Sequence, residues 1–157
     1  MKNIALLAAA ACALAAGATT ARADTDPVAA VKADLQKLVT DATTLHSTIQ
    51  ADAQKISADV QALQGTTDRK TVRTTLQADW KKVQADRAQL VPPVQADWAQ
   101  LKQDMAAVHS AKAGSADLRA AVQQAHATLV QERADVKAAL QAAHQAAQAL
   151  RQSLKKK

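Results

Sequence analysis

The chain has 157 residues, 48% of them hydrophobic, with 20 basic against 14 acidic side chains and a formal net charge of +6. Phe and Tyr are absent and there are only two Trp, three Gly and three Pro, which excludes a β-sandwich or barrel built on aromatic and β-branched strands with many turns. Because 41 of the residues are Ala, the core is thin, and the length suits one domain.

Residues 1–23 read as an export signal. Lys2 gives a positive start, Ile4 to Ala16 an apolar stretch, and Ala21-Arg22-Ala23 a small-x-small cleavage site before Asp24. The stretch is short of the roughly 20 apolar residues that span a bilayer, and no later segment is apolar enough, so no transmembrane segment is expected after cleavage. Cys12, the single cysteine, lies within this stretch. Ala9 stands where a lipidation motif has a larger aliphatic, so the mature chain is expected to carry neither lipid nor disulfide nor thiol nucleophile. Export places residues 24–157 in the bacterial periplasm or outside the cell. Without Lys2 and Arg22 the balance falls to 18 basic against 14 acidic residues, and Lys155, Lys156 and Lys157 suit a helix C-terminus.

The spacing predicts a helix over 27–64, with Val28, Val31, Leu35, Leu38, Leu45, Ile49, Ile56, Val60 and Leu63 recurring in steps of three and four and Ala42 and Ala53 filling the gaps. Asp26 is its N-cap, Pro27 its first residue and Gly65 its stop. A second helix over 68–113 starts from Thr67 or Asp68, runs from Val72 to Val108 and is interrupted by Pro92-Pro93. Prolines there force a kink or a break. A kink is expected, because Val83, Arg87, Leu90, Val94, Trp98 and Leu101 keep their phase across them; a break would give four helices. A third helix covers 115–154. Two short Gly-containing hinges make neighbours antiparallel, so the expected fold is an elongated all-α three-helix bundle.

The chain also repeats itself every 18 residues. Gln77-Ala-Asp-Trp80 returns as Gln95-Ala-Asp-Trp98, and Asp117 to His126 resembles Asp135 to His144. Eighteen residues make five turns of an ordinary helix, so equivalent side chains share an azimuth about 27 Å apart and the helices should run nearly straight.

Four aspartate pairs at spacing seven, Asp34/Asp41, Asp52/Asp59, Asp79/Asp86 and Asp97/Asp104, lie beside the apolar stripe with Lys37, Lys55 and Lys82 between the members of three of them. They read as a solvated edge with weak intrahelical pairs. Nothing in the pattern accounts for 13 of the 14 acids being Asp, since Glu is the better helix former. His46, His109, His126 and His144 have no ligand partner at helical spacing and fall at different heights, so no metal site is expected. No nucleophile–base motif or phosphate loop is present, so neither catalytic residues nor a cofactor are expected. Trp80 and Trp98 share one face, as core anchors or as a contact for lipid or protein. Arg69, Lys70, Arg73, Lys81 and Lys82 form a basic cluster, interrupted by acids and without a stacking aromatic, so no nucleic-acid partner is expected.

These features point to a non-enzymatic interaction protein of the envelope: a spacer, scaffold or holdase-like binder whose partner is protein, a second copy included. A lipid-surface protein that opens to lay its Trp stripe on a membrane is the alternative, and a metal- or pH-responsive sensor a third.

Overall fold

The computed structural model describes residues 26–155; the stretch expected to be an export signal, Cys12, Lys156 and Lys157 lie outside them. Three helices follow one another: α1 (Pro27–Ala62), α2 (Arg69–Ser110) and α3 (Ala116–Lys155). At about 1.5 Å per residue they are roughly 54, 63 and 60 Å long. α1 packs closely against both α2 and α3, while α2 and α3 approach each other less closely.

The helix starts have the expected chemistry. Asp26 accepts a hydrogen bond from the Val28 amide at 3.0 Å, with Pro27 in the first turn. Asp68, rather than Thr67, caps α2 by accepting from the amides of Lys70 (2.9 Å) and Thr71 (3.2 Å). The Thr71 hydroxyl also donates to it and holds its carboxyl below the usual carboxylate range. Ser115 Oγ accepts from the Leu118 amide at the start of α3.

The ends differ from expectation by a few residues. α1 stops at Ala62 rather than at position 64, and Gly65 takes the left-handed conformation (φ +87°) within the turn that follows. α2 stops at Ser110 rather than 113, because Lys112 and not Gly114 is the left-handed residue (φ +52°). The Lys112 amide donates to His109 O and the Ala113 amide to Val108 O, both at 3.1 Å, which closes a Schellman motif one turn early. α2 runs unbroken through Pro92 and Pro93, so the described residues form three helices and not four.

The buried side chains form two clusters. The upper one takes Val31, Leu35 and Leu38 from α1, Leu101 and Val108 from α2, and Leu118 and Ala125 from α3. The lower one includes Ile49, Ile56 and Val60, then Leu76 and Val83, then Ala143 and Leu150, again from all three helices. Between them lies a waist. Pro92 and Pro93, His46 and Glu132 fall within about 5 Å of one level, so the prolines sit where little apolar surface is packed.

Candidate functional site

The polar residues singled out by their spacing are placed mainly by the α1–α2 interface. Asp52, Asp79 and Asp97 are buried, at 6%, 7% and 7% exposure, not solvated as the spacing suggested. Each meets a lysine of the facing helix: Lys82 reaches Asp52 at 2.9 Å, Lys55 reaches Asp79 at 2.9 Å, and Lys37 pairs with Asp97. The same lysines bind the aspartate four residues on, Lys37 to Asp41, Lys55 to Asp59 and Lys82 to Asp86.

One pattern generates this ladder. Asp-x-x-Lys-x-x-x-Asp occurs at 34–41, 52–59 and 79–86, and at 97–104 with Gln100 in place of Lys. Because α1 and α2 run in opposite directions, facing copies exchange lysines reciprocally, Lys55 to Asp79 and Lys82 to Asp52. In the upper pair Lys37 crosses to Asp97, and Gln100 donates within its own helix to Asp104 at 3.3 Å. The carboxylates are inside and the ammonium groups, about half exposed, lie over them. An Asp at the buried position keeps its charge close to the backbone where the helices approach closely, while the long Lys stem spans the gap. This explains the choice of Asp over Glu at these three positions.

The electrostatics follow from these contacts. Asp97 first, then Asp41, holds the Lys37 ammonium above the usual lysine range; Asp59 and then Asp79 do the same for Lys55, and Asp86 and then Asp52 for Lys82. In return Lys37, Lys55 and Lys82 hold Asp41, Asp59 and Asp86 below the usual carboxylate range.

Glu132, the single Glu, ties α3 to α1: Thr43 donates to its Oε1 at 2.7 Å and His46 Nδ1 lies 2.9 Å from its Oε2. The spacing rules missed this pair because its members are 86 residues apart in sequence. Among the described residues no group of three His, Cys, Asp or Glu side chains is placed to hold a metal ion, and no helix is long and apolar enough to cross a membrane.

Trp80 and Trp98 do not share one environment. Trp80 packs against the lower core and meets the His144 ring edge-on, with centroids 6.2 Å apart and planes at 70°. Trp98 (44%), Met105 (42%) and Val130 (52%) are exposed. The basic cluster also divides: Lys82 is drawn into the ladder, whereas Arg69, Lys70, Arg73 and Lys81 remain exposed, Arg69 donating to Leu154 O at 2.8 Å. No family model, curated protein or solved structure matches this chain.

Proposed function

We propose that the chain is a non-enzymatic, exported interaction protein of the bacterial envelope, a rod that acts through its outer faces with its helices closed. The observation that carries this reading is the allocation of polar groups. The carboxylates nearest the core hold α1 to α2, and Glu132 holds α3 to α1, so the groups with altered environments serve cohesion. The large apolar side chains left outside, Trp98, Met105 and Val130, are available to a partner. The same ladder weighs against the alternative in which the bundle opens onto a membrane, since the apolar stripe laid on lipid would carry Asp52, Asp79 and Asp97 with it.

Two measurements test the reading. Fractionation of cells making the chain, with N-terminal sequencing, is expected to give envelope protein beginning at Asp24; uncleaved protein in the cytosol would refute export. A photo-crosslinking amino acid placed at Met105 is expected to form adducts in intact cells that the same group at Gln54, on the exposed back of α1, does not. Absence of adducts from Met105 would refute an interaction role for this face.

A further inference from the structure

The charges on α2 and α3 are sorted by side. With about 100° between successive residues, Asp79, Asp86, Asp97 and Asp104 share one narrow stripe of α2, and the ion pairs fix that stripe on the α1 side. Arg73, Arg87 and Lys102 lie roughly 90–150° away around the same helix, interleaved with Trp80, Trp98 and Met105. On α3, Arg133, Lys137 and Arg151 fall within about 20° of the azimuth shared by His126 and His144, with Val130 about 40° from it. Asp117, Glu132 and Asp135 are about 100° or more from those cations, and Glu132 is directed to α1.

Contacts bring the two cationic stripes to one side of the bundle. The Trp80–His144 ring contact joins α2 to α3 there, and Arg151 lines the same shallow depression beside both rings. The six named cations are all exposed and, among the described residues, none forms a salt bridge. The ladder has taken the acids to the α1 side, so this face is far more basic than the net charge implies. It extends about 50 Å along the bundle.

We infer that the α2–α3 face, with Arg73, Arg87, Lys102, Arg133, Lys137 and Arg151 around Trp98, Met105 and Val130, docks the closed bundle on an anionic membrane surface. This deepens the proposed interaction role by naming its partner. Charge complementarity argues for an anionic surface, each Lys or Arg near such a membrane adding attraction. The exposed apolar side chains choose lipid over nucleic acid: an indole at the headgroup level and aliphatic groups at the acyl boundary gain from a membrane. Phosphodiester backbones offer Met105 and Val130 nothing comparable.

The test is co-sedimentation of the full chain with vesicles of phosphatidylglycerol and phosphatidylcholine, and with phosphatidylcholine alone. Residues 1–25 are present in every arm, so differences between variants report on the face. Binding is expected to be tighter to the anionic vesicles, the apolar stretch at 4–16 contributing to both kinds alike, and added salt should weaken the excess. Arg87→Gln/Arg133→Gln/Arg151→Gln should bind about a hundredfold more weakly, given the attraction carried by each cation. Lys32→Gln/Gln36→Glu/Gln54→Glu, which lowers the net charge equally on the back of α1, should bind within about threefold of the parent, because it acts from beyond the Debye length. Trp98 is expected to shift its emission to the blue on binding while the core amides keep their exchange protection.

Equal losses in both triple variants, equal binding to neutral vesicles, loss of core protection, or tighter binding to duplex DNA at the same salt would each overturn the inference. Lack of vesicle binding alongside persistent protein adducts from Met105 would sink the lipid partner and leave the interaction role standing. No adducts at all would sink both.

Discussion

Ile56→Ala tests the packing most directly. Ile56 has no exposed surface and sits in the lower cluster, to which all three helices contribute. Truncating a buried aliphatic to Ala costs about 2–5 kcal/mol, depending on how far the surroundings collapse. Here several neighbours in the cluster, Ala53, Ala143 and Ala147, are methyl groups that cannot extend into a void, which puts the loss near 4 kcal/mol. An unfolding entropy of about 2.1 cal/mol/K per residue over roughly 130 residues converts this to a fall in Tm of about 15 °C. Thermal melts followed by helix circular dichroism read the shift, with Val130→Ala, 52% exposed, as a control expected to stay within about 0.5 kcal/mol. Because the waist separates the clusters, amides beside Ile56 and Leu76 should lose more exchange protection than those beside Leu38 and Leu101. A Tm shift below about 4 °C, or equal loss of protection in both halves, would refute the divided core.

Acid and alkali should both loosen the bundle. Asp41, Asp59 and Asp86 titrate below their ordinary value, so their contribution is present above that value and is lost as pH falls through the lowered one. Lys37, Lys55 and Lys82 titrate above theirs, so that contribution is present below the ordinary lysine value and lost as pH rises through the raised one. Melts across pH should therefore show a plateau from about pH 5 to pH 10, and a maximum outside it would contradict the ladder. Replacing Pro92 and Pro93 together by Ala should stabilise the chain by about 1–3 kcal/mol in urea titrations, because backbone donors return to α2 where the core is thin; destabilisation would show that the prolines shape the waist. Lys112→Gly should add about 1 kcal/mol by relieving a left-handed Lys, and an unchanged midpoint would place that residue elsewhere in φ. Deleting residues 115–157 removes one side of both clusters and should abolish two-state melting; an unchanged transition would refute the three-helix core.

Helix number, order and most core positions were legible because steps of three and four from Val28 to Leu63, and from Val72 to Val108, mark one face of a long helix. The cap at Asp26 was legible from its own chemistry before Pro27, whereas that of α2 was legible only as Thr67 or Asp68. The buried state of Asp52, Asp79 and Asp97 was not, since an aspartate beside an apolar stripe looks alike whether water or a facing lysine answers it. The overlooked signal was Asp-x-x-Lys-x-x-x-Asp occurring on two helices of opposite direction, a pattern that pairs with itself. Trp80 and Trp98 sit in identical tetrads yet differ in exposure, because what covers an indole is set by α3, where His144 meets only the first. Glu132 with His46 was illegible from spacing alone, as helical intervals say nothing about contacts between helices.

The self-pairing ladder has a consequence for how the chain finds its register. Sliding α1 by 18 residues against α2 would present Lys55 to Asp97, so the rungs recognise partner types without specifying which partner. What removes this ambiguity is the short turn at 63–68, which permits no such slide, together with Gln100, the position where the lysine is missing. The ladder fixes which sides of α1 and α2 meet, and the turn fixes how far along they meet. Lengthening the turn would therefore leave every residue of the interface in place and still admit a second alignment, trading a unique fold for two competing ones.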